Sequence, residues 1–269
     1  MKTFFKTFLA ALLALFVFSI LGVMTLIGLA ASVSSDEPVA VPTNAVLVID
    51  LGDNFTEKEV SDPFTELMNP GSGKVPSLST VIGLIQQAKK DSNIKGIYIK
   101  CQQNSNGYAS SEELRKALVD FKKSNKFIFA YGETISQKGY WVGNVANSIY
   151  THPQGGLDFS GFSLETVFLK GMLDKLEVEM QVFYAGKFKS ATEPFRYTKM
   201  SDANKLQTGV WLNGLYDHFI NTVSSARQIA PDQLKALANE GKIQSAQDAL
   251  SNGLVDGLIY DDQLKKIIS

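Results

Sequence analysis

Two lysines two residues apart, Lys187 and Lys189, stand in the segment Gly186 to Phe195 (GKFKSATEPF), which reads as the end of a strand running into a polar loop. Alternation along the strand end sends both side chains to one side. As solvated loop charges they need no further function. Held desolvated against a cleft wall, a lysine can instead shed its proton and act as general base toward a serine hydroxyl, the two-residue variant of the serine hydrolase arrangement. The serine of this chain placed for such a role is Ser136, which follows a strand and precedes the Gly139-Tyr140-Trp141 helix start. A strand-to-helix turn exposes a nucleophile, and the same place suits a serine as a helix cap, so both readings of Ser136 stand.

Other chemistry is poorly supplied. His152 precedes Pro153 in what reads as a turn, without an acidic partner identifiable from spacing, and His218 lies on a face of a long helix, so a Ser-His-Asp triad has no support. With these two histidines and the single Cys101, a metal site of the usual zinc type is not expected, and no cofactor is implied. Cys101 follows an apolar strand and reads as a buried structural thiol. Of the 26 basic residues only Lys2 and Lys6 precede position 35, whereas all 27 acidic residues follow it. The part beyond is therefore mildly acidic, which disfavours a nucleic-acid partner. At 269 residues, 45% hydrophobic and 20% charged, the chain has the usual globular mixture with material for one domain of upper size.

The elements that must position these residues follow from periodicity. Ala45–Leu51, Lys95–Lys100, Lys126–Tyr131, Ser148–Thr151 and Glu179–Gly186 read as strands. Between them, helices are expected at Ser77–Asp91, at Ser110–Ser124 with a Ser110/Glu113 capping box, around Gly139–Asn147, and at Leu164–Leu176. A long helix follows at Ser201–Arg227 with an apolar stripe of Leu206, Val210, Leu215, Phe219 and Val223, then short helices opening at Pro231 and Ser245. The second of these ends at Asn252-Gly253, where glycine suits a left-handed terminus. Phe55 to Pro76 reads as a long polar surface excursion. The alternation argues for a layered α/β fold with parallel pairing.

Residues 1–35 form a separate segment. From Thr7 to Ser35 no residue is charged, and Phe8 to Ala31 is long and apolar enough to cross a bilayer as one helix. Ala30, Ala31 and Ser32 also offer a signal peptidase a cleavage site, so an uncleaved anchor and a cleaved signal sequence both stand. Lys2 and Lys6 before the span and Asp36 and Glu37 after it place the N-terminus in the cytoplasm and the domain at 45–269 outside it. Residues 36–44 are the linker.

The segment GKFKSATEPF, with Gly155 to Phe162 (GGLDFSGF), Leu173 to Leu176 (LDKL) and Leu254 to Asp256 (LVD), resembles the signal peptide peptidase A, or protease IV, family, peptidase family S49. The likeness runs over essentially the whole chain but matches only the N-terminal of the two homologous halves of the long form. It implies a ClpP/crotonase-like spiral of β-β-α units behind one transmembrane helix, in a bowl-shaped homo-oligomer on the bacterial inner membrane, in contact with its lipid. It also implies a cofactor-free serine endopeptidase that degrades cleaved signal peptides or other extended peptides. In the family's motif Lys189, and not Lys187, occupies the place of the general base. The nucleophilic serine belongs to the C-terminal half, which is therefore an implied partner.

The chain departs from the catalytic half in two respects. Ser136 has one residue more before Gly-Tyr-Trp than the family's serine and lacks its paired glycines, and Cys101 to Gly107 (CQQNSNG) stands where the oxyanion-forming Pro-Gly-Gly is expected. The resemblance therefore implies a half that supplies Lys189 to a site completed elsewhere. A self-contained Ser136/Lys189 dyad, a non-catalytic membrane-tethered scaffold, and a crotonase acting on acyl-CoA are the competing readings.

Overall fold

The computed structural model describes residues 2–33, 41–57 and 75–268. Residues 36–40 of the expected linker and residues 58–74 of the expected surface excursion lie outside them. Two compact units are resolved, Met1–Pro42 and Thr43–Ser269. The first is a single helix α1 (Lys2–Val33), in which Thr3–Leu26, at a mean hydropathy of 2.6, is long and apolar enough to cross a bilayer.

The second unit is built on one parallel sheet with its strands in chain order: β1 (Ala45–Asp50), β2 (Ile94–Lys100), β3 (Phe127–Ile135), β4 (Ser148–Leu157) and β5 (Gly257–Leu258). The crossovers between the first four are α2 (Leu78–Lys90), α3 (Tyr108–Phe121) and α4 (Gln137–Gly143). Parallel strands are covered on both faces and so read as continuous apolar runs. In β2, Ile97 and Ile99 pack under the helices while Tyr98 between them faces the other layer, and all three are buried. That other layer is α10 (Asp261–Ile268), whose Leu264 is fully buried against Tyr98 and Tyr131. The Tyr98 hydroxyl donates to Asp261 at 2.6 Å.

Strands β3 and β4 run longer than expected. Between Gly132 and Thr134 their register shifts, and Thr134–Ile135 then pairs with Gly156–Leu157, a second short ladder that carries β4 past Pro153. His152 is therefore a strand residue and not a turn residue. Its Nδ1 accepts from the Gln154 amide.

The helices that follow are α5 (Lys170–Lys175), α6 (Glu193–Arg196), α7 (Asp202–Arg227), α8 (Pro231–Asn239) and α9 (Ala246–Ser251). Ser245 and Asp248 form the capping box of α9, and Gly253 takes φ +72° just after it. Asp256 closes the domain, accepting from the Ile149 amide and pairing bidentately with Arg227.

Three further expectations are corrected. Helix α3 starts at Tyr108 behind Gly107 with no side-chain cap, so Ser110 and Glu113 form no capping box. The Tyr108 ring in the first turn packs at a tilt against Trp141 and Phe162. The expected helix Leu164–Leu176 is reduced to α5, for residues 158–169 form no regular element and Phe159 is buried in the core. Glu179–Gly186 is no strand: its β-forming residues find no neighbouring strand, and Phe183 is 92% exposed.

Cys101, the residue after β2, is wholly buried, and burial pushes its thiol up to about 12. The native protein should accordingly show no thiol reactive toward a disulfide reagent at about pH 8, and one after denaturation in guanidinium, read by absorbance.

Candidate functional site

Ser136 lies where β3 ends and α4 begins, beside the end of β2: its amide donates to the Gln102 carbonyl at 2.9 Å. Its Oγ is half-buried and accepts from the Gly139 amide at 3.1 Å, a helix N-cap. A side chain at Gly139 has no room, since a Cβ there would meet the Cys101 carbonyl oxygen at 2.1 Å. The start of α4 is thus pressed onto the end of β2. Gln137 locks it from the other side by exchanging two hydrogen bonds with the backbone of Gly161, at 2.8 and 2.9 Å.

In the loop after β2, where oxyanion donors would be sought, three amides are engaged. Cys101 donates to Tyr131, Ser105 to Leu51, and Asn106 to the Asn104 side chain. Asn104 and Asn106 form a buried knot: Asn104 Nδ2 donates to Ser111 Oγ and the Lys138 carbonyl, and Asn106 Nδ2 donates to the Asp53 carbonyl. These residues make a structural corner out of the CQQNSNG segment. Glu112 meanwhile gathers His218 Nε2 at 3.0 Å and Trp141 Nε1 at 3.4 Å, so His218 serves a helix-face contact with no hydrogen bond to Ser136.

Lys189 lies in a separate part of the unit, a tight turn entered through Gly186 at φ +100° and continued by a 3-10 turn, Ser190–Thr192, into α6. Its side chain is exposed and makes no hydrogen bond or ion pair with the described residues. It lines an open cavity of ≈ 460 Å³ together with Phe183, Tyr184, Phe188 and Thr192. Lys187 is exposed as well, its amine 6.0 Å from the Phe188 ring centroid. No hydrogen bond among the described residues joins Ser136 to Lys189, and the Lys189 cavity is not lined by Ser136. No group of three or more His, Cys, Asp or Glu among the described residues is arranged for a metal.

The residue that sequence reasoning passed over is Glu193. It is charged, yet only 3% exposed. Its carboxylate accepts from Ser201 Oγ at 2.6 Å, from the Ser201 amide at 3.2 Å and from Asn204 Nδ2 at 2.9 Å. The one signal available was its place in the motif, because its partners stand 8 and 11 residues further on. Burial alone would raise this carboxyl, but the hydrogen bonds from Ser201 and Asn204 outweigh it and hold the group below the ordinary range.

Residues 120–268 match the family described as Peptidase family S49, and the chain belongs to that family, the family of signal peptide peptidase A and protease IV. It is 36% identical over 202 residues to Protease 4 of Salmonella typhi, covering 72% of this chain and 32% of that protein. It is 30% identical over 230 residues to Protease 4 of Haemophilus influenzae, covering 81% and 37%. The chain thus spans about a third of the length of these relatives. Among solved structures, a variant of the 1510-N membrane-bound stomatin-specific protease in complex with a substrate peptide is similar at a TM-score of 0.44 and 12% identity, over 83% of this chain and 80% of that one.

Two outcomes follow from this geometry. As a cap, Ser136→Ala should lower stability by about 1 kcal/mol in urea denaturation and leave peptide cleavage intact. Abolished cleavage at unchanged stability would instead make Ser136 the nucleophile. For Glu193, a folded-state value below the unfolded one stabilises the fold above the unfolded-chain value of about 4.3, and that contribution is lost as pH falls through the folded value. The stability gap between wild type and Glu193→Gln, steady between about pH 6 and 8, should therefore narrow below about pH 4.

Proposed function

We propose that this chain is the lysine-bearing half of a membrane-anchored serine endopeptidase that degrades cleaved signal peptides and similar extended apolar peptides. The observation that carries the reading is the contrast between the two candidates. The Lys189 amine is unengaged by the described residues in an aromatic-walled cavity, whereas Ser136 is held as a helix cap. The serine-bearing half comes from outside these 269 residues. Its surface excludes water from the amine, the condition under which a lysine serves as base.

The reaction balances without cofactor. Lys189 Nζ takes the proton of the partner serine as its Oγ attacks the peptide carbonyl, and returns that proton to the leaving amine as the acyl-enzyme forms. Water, deprotonated by the same amine, releases the acid and restores the serine. Phe183, Tyr184 and Phe188 around the lysine suit apolar side chains of a signal peptide.

The exposed apolar residues of the same region supply a surface for the complementary half and for further copies of the chain: Phe183 at 92%, Val210 at 68%, Leu206 at 62% and Trp211 at 53%. Patches of this kind mark association surfaces. Helix α1 fixes the assembly to the bacterial inner membrane, with the domain on the extracytoplasmic side.

The test uses the tagged chain purified from the membranes of its host with the subunits that accompany it, assayed on a fluorogenic signal-peptide substrate. Lys189→Ala should lower kcat by about 10³-fold or more, and Lys187→Ala should stay within about threefold of wild type. Full turnover in Lys189→Ala overturns the assignment.

A further inference from the structure

Glu193 and Lys189 belong to one short stretch of chain, yet one is buried and fully bonded and the other is exposed with no described partner. No arginine or lysine neutralises Glu193 by an ion pair among the described residues. Its charge is met by the start of α7, through the Ser201 amide, the Ser201 hydroxyl and the Asn204 side chain. Ser201 Oγ is at the same time the N-cap of α7, accepting from the Asn204 amide at 3.2 Å, and Thr208 Oγ1 donates to Asn204 Oδ1 one turn on. A carboxylate at a helix N-terminus is additionally favoured by the helix dipole.

This arrangement has a mechanical consequence. Helix α7 is 26 residues long, and its far half is embedded in the core through Phe219, Ile220 and Val223, all fully buried. Its near half projects Leu206, Val210 and Trp211 into solvent. The turn that carries Lys189 has little core of its own, for no residue of 186–192 is buried. It is held by the Leu169 amide on the Pro194 carbonyl at 2.8 Å, by Arg196 stacked 3.8 Å over the Tyr184 ring, and by Glu193. Among these, Glu193 is the tie to the core-anchored helix.

We infer that Glu193 is a positioning residue: its three hydrogen bonds to the first turn of α7 hold the 186–196 turn, and with it the Lys189 amine, at a set distance from the core. The inference rests on the reading of Lys189 as general base. A base displaced by about 1 Å loses rate and not substrate affinity, so the loss appears in kcat.

The test compares Glu193→Ala, Glu193→Gln and Ser201→Ala in the chain purified from its own membranes, with active serines counted by a fluorophosphonate so that turnover is given per site. Glu193→Ala should lower kcat per site by about 10- to 100-fold with KM within about twofold. Glu193→Gln keeps an acceptor for Asn204 and should recover most of that loss. Amide exchange should show residues 187–200 losing protection in Glu193→Ala while residues 215–227 keep theirs. If Glu193→Ala does not fold, Ser201→Ala, which removes the 2.6 Å bond, should lose about 5- to 10-fold in kcat per site.

Unchanged kcat per site in the folded variants overturns the inference, as does a loss seen only in the number of active serines or in KM. The two levels of the argument fail separately. Full turnover in Lys189→Ala, or no cleavage by the wild-type preparation, removes the general base and the inference with it. An inactive Lys189→Ala beside a normal Glu193→Ala removes the positioning role alone.

Discussion

The constraint on which this structure depends is that a parallel sheet must be buried on both faces, because crossover helices are the means of returning each strand to the same end. In β2 that requirement is met residue by residue: Ile97 and Ile99 lie under the helical layer while Tyr98 lies under α10. The same connectivity brings the carboxyl ends of β2 and β3 together, so that Cys101, the Asn104–Asn106 knot and Ser136 share one corner. There the backbone is packed so closely that Gly139 meets the Cys101 carbonyl with no space for a methyl group. A corner tied in this way is well made for structure. The Cys101, Ser105 and Asn106 amides are engaged there, and Ser136 Oγ accepts from the Gly139 amide.

The region between β4 and the middle of α7 obeys different physics. Apart from Phe159 at its entry, Glu193 at the start of α6 and Asn204 at the start of α7, it contributes little to the core. Its larger side chains, Phe183, Leu206, Val210 and Trp211, remain in contact with water. Apolar area left in solvent costs roughly 25 cal/mol per Å² relative to burial, which is what the proposed association would recover.

Glu193 and Lys189 show how one short motif divides its work. The carboxylate is stabilised by hydrogen bonds within the chain, and the amine is left for something outside it. A buried charge without an ion-pair partner is tolerated when its lone pairs are filled by well-placed donors, which Ser201 and Asn204 provide. The motif thus pairs a buried, hydrogen-bonded carboxylate with an exposed lysine.

Much of this was determined by the sequence alone. The apolar runs of β1 and β2, the 3.6-residue spacing of α2, the Ser245/Asp248 start and Gly253 end of α9, and the uncharged stretch of α1 are local patterns whose period or capping chemistry specifies the element. The GKFKSATEPF segment was equally legible, and it pointed to the family before any fold was in view. What only tertiary structure decided were features set by distant partners. Glu179–Gly186 has the residues of a strand and no neighbour to pair with, and Ser110 is no cap because the helix starts earlier, at Tyr108, whose ring packs on Trp141. Glu193 became buried because the chain returned Ser201 and Asn204 to it. Propensity acts through nearest neighbours along the chain, whereas burial and pairing depend on neighbours in space, and at these positions the latter prevailed.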